Sequence, residues 1–140
     1  MNRILGTILG VACLAVAACS LVRPDSADTP KVDLRGTWLA EDIDGAGVID
    51  NAQSTLEFTN DGRVAGRGGC NRYSGSVKAE SGSILLSELF STKMACAPAL
   101  MDQETRYMDA LQAVRSYRME SSKLVLVDAT GKPRLRFSRQ

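Results

Sequence analysis

Residues 54–66, STLEFTNDGRVAG, contain a complete strand–turn–strand signal. Leu56 and Phe58 alternate with polar neighbours, which is the period of a strand that buries one face. Residues 60–62 (NDG) are a strong turn signal, and residues 63–66 favour the return strand of a hairpin. This stretch therefore predicts antiparallel sheet.

The same alternation recurs on both sides of this hairpin. The segments are short, and polar or glycine-containing breaks such as residues 80–82 and 130–133 separate them. They indicate a small antiparallel sheet that runs through most of the chain. The further predicted strands are residues 36–41, 73–78, 84–89, 117–120, 123–127 and 134–138.

One segment, residues 98–115, has a helical period instead. Pro98 suits the first turn of a helix. Glu104 lies beside the predicted apolar face, and a buried carboxylate without a partner is costly. We therefore expect it to bond to Arg72, to Lys93 or to backbone N–H groups near the helix start. The predicted apolar face contains Met101, Met108, Leu111 and Val114, with Tyr107 and Ala110 beside them.

Together these patterns predict an α+β domain. We expect a small antiparallel, curled or barrel-like β-sheet with one amphipathic helix packed on it. Its predicted bounds are residues 34–140, a length at which a single core is ordinary.

The N-terminus has the three-part layout of an export signal. A short basic start ending at Arg3 is followed by the apolar residues 4–15 and the small residues 16–18, directly before Cys19. The apolar run is too short for a spanning helix of about 20 residues. The layout resembles a bacterial lipoprotein signal, which implies that residues 1–18 are removed and that Cys19 is acylated, with palmitate among the expected chains. Residues 19–33 then form a lipidated, flexible tether, because they contain too few apolar side chains to fold.

Composition excludes several classes of function. With 17 basic and 16 acidic residues, the chain lacks the charge excess of a nucleic-acid-binding protein. It contains no histidine, so neither a Ser-His-Asp nor a Cys-His catalytic arrangement can be built. We therefore expect that the protein is not an enzyme and that it holds neither a cofactor nor a metal ion. The expected partners are a membrane, reached through the N-terminal lipid, and an envelope protein, with the chain itself a monomer.

Two cysteines remain in the body after Cys13 is removed and Cys19 is lipidated. Two cysteines in the body of an exported protein more often form a disulfide than remain free thiols. We therefore expect a disulfide between Cys70 and Cys96. Closing this loop of about 27 residues would stabilise the fold by about 3.5 kcal/mol. A redox pair is less favoured because the spacing is not C-x-x-C, and a structural zinc site would need two more ligands.

Other polar and methionine-rich stretches leave alternatives open. Residues 42–53 have a glycine where a calcium-binding EF-hand loop needs one, but alanine and glutamine replace ligands, so a solvated acidic loop is favoured. The carboxylates of this loop could serve in acid–base catalysis, but no nucleophile accompanies them. The carboxylates of the acidic loop are those of Asp42, Asp44 and Asp50.

A second open alternative concerns residues 71–73. Either a polar recognition spot or an ordinary strand is formed by Asn71, Arg72 and Tyr73. Either a pliable groove or, as we favour, the core is lined by Met94, Met101 and Met108.

Several motifs in order resemble the META domain, the family that includes the HslJ-like heat-shock lipoproteins. They are residues 34–38 (LRGTW), 69–75 (GCNRYSG), 91–96 (STKMAC), the helix 101–111, and 123–128 (KLVLVD) with its following Gly131. The resemblance implies a small β-rich domain with one helix, an association with envelope stress, and no established catalytic site. The residues that carry the family motif are Gly69, Cys70, Asn71, Arg72, Tyr73, Gly75, Met94 and Cys96.

These observations predict a non-enzymatic lipoprotein that faces the periplasm and acts in envelope stress or maintenance through binding. The residue after Cys19 is Ser20, whereas an aspartate at this position would resemble an inner-membrane retention signal. We therefore expect the protein to be attached to the outer membrane. One alternative is a pilotin-like chaperone for an acyl chain or an amphipathic helix, which would need an apolar pocket beside the helix. Another is an enzyme built on carboxylates, marked by a concave cluster of Asp or Glu.

Overall fold

The computed structural model describes residues 32–140, and in them the chain forms a closed antiparallel barrel of eight strands with one helix. Each strand pairs with its sequence neighbour, and the last strand returns to the first. The predicted antiparallel sheet with one packed helix is confirmed. The elements are β1 (Gly36–Ile43), β2 (Thr55–Phe58), β3 (Arg63–Arg67), β4 (Arg72–Glu80), β5 (Ser83–Ser91), α1 (Pro98–Ala113), β6 (Val114–Glu120), β7 (Lys123–Asp128) and β8 (Pro133–Arg139).

The barrel interior is the hydrophobic core. Alternate residues of each strand point inward, such as Leu56 and Phe58 on β2, as their period predicts. Trp38 is 1% exposed, and its indole N–H donates to the backbone oxygen of Leu34 at 2.8 Å. This bond satisfies the one polar atom of the largest core side chain.

Closure of the barrel joins the two ends of the described chain. β1 and β8 pair from Trp38 opposite Arg139 to Ile43 opposite Leu135. The Arg139 guanidinium lies 4.4 Å from the centre of the Trp38 ring, which is a cation–π distance. It also donates to the backbone oxygen of Asp33 at 2.6 Å. The first and last strands are therefore held by side chains as well as by their ladder.

The helix follows β5 and runs directly into β6. At Val114 the backbone is already extended, with φ −67° and ψ 146°, so α1 ends at Ala113. The sequence prediction was wrong here: it extended the helix to residue 115 and began the strand at residue 117. β6 and β5 share only one register pair, Ser83 opposite Ser116.

The apolar face of α1 is also displaced from the predicted one. Met101 is 43% exposed, so its assignment to the core was wrong, whereas Gln103 is fully buried. Tyr107, Ala110 and Leu111 complete the buried face, which packs against β1, β5 and β8. These positions have the i, i+4, i+7, i+8 spacing of one helical stripe.

The expected signal, residues 1–18, and most of the expected tether, including Cys19, lie outside the described residues. Within residues 32–140, no helix has both the length and the apolar character needed to cross a membrane.

Candidate functional site

Asn71 is the centre of a hydrogen-bonded cluster that joins three segments. Its Nδ2 donates to Glu104 Oε1 at 2.8 Å and to the backbone oxygen of Met94 at 3.3 Å. Its Oδ1 accepts from the Met94 N–H at 2.7 Å and from the Thr92 hydroxyl at 2.8 Å. Asn71 is 4% exposed, so these bonds are shielded from water. They hold the turn before β4, the segment after β5 and the helix together.

Glu104 has hydrogen-bond partners, as its position predicts, but they are not the predicted ones. Its Oε2 accepts the backbone N–H groups of Cys70 at 3.0 Å and of Asn71 at 2.5 Å. Neither Arg72 nor Lys93 bonds to it among the described residues, and the N–H groups belong to the turn before β4 rather than to the helix start. A Cβ on Gly68 would lie 2.6 Å from Glu104 Cγ, so only glycine lets this turn approach the carboxylate.

A disulfide joins the same two segments. Cys70 and Cys96 are bonded, with their Cα atoms 6.1 Å apart, as the sequence predicts. The disulfide and the Asn71 side chain thus fix the segment after β5 at neighbouring points. The family-motif residues Cys70, Asn71, Met94 and Cys96 thus hold the turn before β4 to the segment after β5.

Gln103 is a buried polar residue that sequence reasoning missed. Its Oε1 accepts the Ile49 N–H at 2.7 Å, and its Nε2 donates to the Ala52 oxygen at 2.8 Å and to Ser54 Oγ at 3.3 Å. The side chain therefore fixes the connection between β1 and β2 onto the helix. The available signal was its position four residues before Tyr107, on the same helical stripe.

Two tyrosine hydroxyls meet inside the barrel wall. The Tyr73 and Tyr107 oxygens lie 3.0 Å apart, and each is within hydrogen-bond distance of the Thr55 backbone oxygen, at 2.7 and 2.9 Å. A Cβ on Gly66 would lie 2.0 Å from the same Thr55 oxygen, so the glycine permits this approach. Burial raises the pKa of both tyrosines above the ordinary value of 10.0.

This pair predicts alkaline instability. Well below pH 10 both folded and unfolded chains keep these protons, so the stabilisation is fully present. As the pH rises further, the unfolded chain loses them first, and the free energy of unfolding falls by about 1.4 kcal/mol per pH unit for each tyrosine. Urea unfolding of the Tyr73→Phe/Tyr107→Phe variant between about pH 9 and about pH 11 should show a shallower decline than the native chain. Parallel declines would contradict this prediction.

The side chains of the possible recognition spot at residues 71–73 lie on opposite faces of the sheet. Asn71 and Tyr73 point inward and are each 4% exposed, whereas Arg72 points to solvent. The core prediction for the methionines holds only for Met108, which packs against the core. It was wrong for Met94, which is 57% exposed, as for Met101.

The carboxylates of Asp42, near the end of β1, and of Asp44, in the loop that follows, bond within the protein. Asp42 accepts the N–H groups of Gly45 and Gly47 at 2.7 and 3.0 Å, and Asp44 forms an ion pair with Arg134. Within residues 32–140, no group of three or more Asp, Glu, Cys or His could hold a metal ion. These contacts give Asp42 and Asp44 a structural role in the turn.

The outward face of β2–β5 contains a shallow depression of about 640 Å³, here called the outer trough. One row of directly opposed residues crosses it from β2 to β5, ending at Phe90, which is 72% exposed. In the next row, Arg67 on β3 stands opposite Arg72 on β4. The trough is defined by Glu57, Ala65, Arg67, Arg72, Ser74 and Phe90.

The trough combines an apolar wall, a small-residue floor and two cations. Ala65 and Ser74 leave room above the sheet, while Phe90 stands at one side. Aromatic residues and arginine are the side chains most enriched in protein interfaces. Of the surfaces described here, this one is best suited to recognition.

The barrel, the Asn71 cluster and the disulfide coincide with a known domain. The family model of the META domain matches residues 32–140. This chain belongs to the META domain family. The META model thus covers every strand and the helix of the barrel.

Solved structures show the same fold. A protein from Burkholderia xenovorans, solved by NMR, is 28% identical, with a TM-score of 0.60 over 76% of this chain and 83% of its own. A second NMR structure is 23% identical, with a TM-score of 0.60 and 90% of its chain covered. A DUF4847 family protein from Bacteroides vulgatus is 16% identical, with a TM-score of 0.56 and 94% covered. The comparison with curated proteins yields no match.

Proposed function

We propose that this META-domain protein is a lipid-anchored envelope protein that acts by binding another protein rather than by catalysis. The observation that carries the binding role is the 72% exposure of Phe90 in the outer trough. Keeping a phenylalanine ring in water forgoes about 2 kcal/mol of burial free energy. A partner that covered the ring would recover this free energy.

The anchoring part of the proposal rests on the N-terminal sequence. Residues 16–18 are small and precede Cys19, as in bacterial lipoprotein signals, and Ser20 follows. Several acyl chains on Cys19 would exceed what stable membrane attachment needs. Attachment to the outer membrane, with the barrel in the periplasm, and a role during envelope stress complete the proposal.

The non-catalytic part rests on residue chemistry. The chain has no histidine, and its best-placed carboxylates are already engaged: Glu104 by three donors, Asp44 by Arg134, and Asp42 by backbone N–H groups. A carboxylate occupied in this way is not free to take a proton from a substrate.

The pilotin-like alternative would place its ligand beside α1. The cavity there, of about 320 Å³, lies between β5 and the helix. Its lining includes Ser87, Glu88 and Gln112 together with two leucines. A polar lining of this kind suits an acyl chain poorly. The outer trough is therefore the better candidate.

We expect the native protein to be recovered from the membrane fraction with an acylated N-terminal Cys19, and Cys19→Ala to accumulate as an unprocessed precursor. Mass spectrometry of the purified protein measures both. An unmodified mature Cys19, or retention of residues 1–18, would disprove the anchoring.

We expect Phe90→Ser to reduce the partner recovered by cross-linking in intact, stressed cells by about tenfold, the equivalent of about 1.4 kcal/mol. Leu85→Ser is the matched control, because Leu85 is also exposed on β5 but does not line the trough. Equal recovery with both variants would mean that the outer trough is not the binding surface.

A further inference from the structure

The two arginines of the outer trough are placed against each other. Arg67 and Arg72 occupy directly opposed positions on β3 and β4, next to the turn that carries Cys70 and Asn71. Like charges at directly opposed positions repel each other and destabilise a sheet. An anion that lies between or beside the two cations would offset this repulsion.

No described residue supplies that anion. Within residues 32–140, neither Arg67 nor Arg72 forms an ion pair, although other arginines on the barrel surface do. Arg118 and Arg136, for example, share Glu120. The nearest acidic member of the trough, Glu57, lies one row away on β2 and is not within ion-pair distance of either arginine.

The surroundings of the pair fit an elongated ligand rather than a point charge. The small side chains of Ala65 and Ser74 form the floor beside the arginines, and Phe90 stands at the end of the same row. A ligand that reaches both features needs an acidic group for the guanidinium groups and an apolar group for the ring. Arginine binds carboxylates in a two-point geometry, which also fixes their orientation.

The pair lies away from the end at which the chain enters the barrel. Gly36, the first residue of β1, pairs with Phe58, and Phe58 pairs with Val64 near the start of β3. Arg67 is three residues further along β3, or about 10 Å further from that end. A membrane surface that approached the barrel from that end would meet Arg63 before it met the pair. This placement favours a protein ligand over a lipid headgroup.

We propose that the Arg67–Arg72 pair binds a carboxylate-rich, extended segment of a partner protein, whose neighbouring apolar side chain packs on Phe90. This inference rests on the proposed function and specifies the chemistry of its partner. It assigns separate roles to the two parts of the trough. The arginines select the charge and fix the position of the segment, and Phe90 contributes burial.

The test uses the chain from residue 19 onward, with Cys19→Ser to keep it free of lipid. The probe is a fluorescein-labelled peptide of repeated Glu-Glu-Leu-Leu units, and the readout is fluorescence anisotropy. Arg67→Gln/Arg72→Gln should weaken peptide binding by about tenfold, and added salt should weaken binding to the native chain. The same peptide with glutamine for glutamate should bind poorly.

Arg63→Gln is the matched control, because Arg63 is an exposed arginine on the same strand that does not line the trough. It should leave peptide affinity unchanged. The double variant should melt no lower than the native chain, since it removes a repulsive pair. A lower melting temperature for the double variant would give the pair a structural role and overturn the proposal.

Two other outcomes would also overturn it. Equal losses with Arg63→Gln and the double variant would show unspecific attraction to a basic surface. Binding to phosphatidylglycerol vesicles but not to the peptide would assign the pair to a membrane. If the peptide fails to bind while cross-linking in cells still depends on Phe90, this inference fails and the proposed function stands.

Discussion

Replacing Glu104 with alanine should lower the free energy of unfolding by about 4 kcal/mol. The change removes three hydrogen bonds and leaves the N–H groups of Cys70 and Asn71 without acceptors. Both residues are 4% exposed, so water cannot readily replace the lost carboxylate. Urea unfolding monitored by circular dichroism measures the loss.

Conservative variants separate charge from packing at this position. In Glu104→Gln, the amide oxygen can still accept from the two N–H groups, but its NH₂ then faces Asn71 Nδ2, also a donor. Asn71 cannot turn over, because its own oxygen holds Met94 and Thr92. We expect a loss of about 2 kcal/mol, against almost none for Asp102→Asn on the exposed side of α1. Equal melting temperatures for these two variants would mean that the carboxylate is not required.

Removing the disulfide should cost about 3.5 kcal/mol, because the unfolded chain regains the freedom of the closed loop. The Cys70→Ala/Cys96→Ala variant should still fold, since the Asn71 side chain holds the same segment at Met94 and Thr92. Its melting temperature should fall by well over 10 °C. Reduction of the native chain should have a similar effect.

Thiol titration provides an independent check of this bond. The oxidised native barrel should show no reactive thiol at either position, and two should appear after unfolding and reduction. Two reactive cysteines in the folded protein would contradict the expected bond.

Local sequence patterns predicted the strands well. The alternation of Leu56 and Phe58 and the turn at residues 60–62 place the β2–β3 hairpin correctly. Each other strand appears within a few residues of its predicted position. Such patterns depend on neighbours two to four residues apart, which a single sequence displays directly.

The face of α1 was harder to predict because composition misled the assignment. Met101 is apolar and Gln103 polar, yet Met101 is exposed and Gln103 is buried. The hydrogen bonds that stabilise the buried Gln103 amide are made with Ile49, Ala52 and Ser54, about 50 residues earlier in the chain. No local period contains this information.

The candidate site was only partly predictable for the same reason. Its disulfide follows from counting cysteines, and the need of Glu104 for a partner follows from its position on the helix, but the identity of that partner does not. The arrangement of Arg67, Arg72 and Phe90 depends on cross-strand register, which includes a bulge between Ser74 and Ser76. A one-residue slip would send the arginines and the ring to opposite faces.

The β1–β8 seam determines when this molecule can finish folding. Trp38 leaves the ribosome about 100 residues before its partner Arg139, and at about 5–20 residues per second that delay is about 5–20 s. Throughout this interval one of the two edges of β1 lacks its partner strand. The barrel therefore cannot close until β8 has been synthesised.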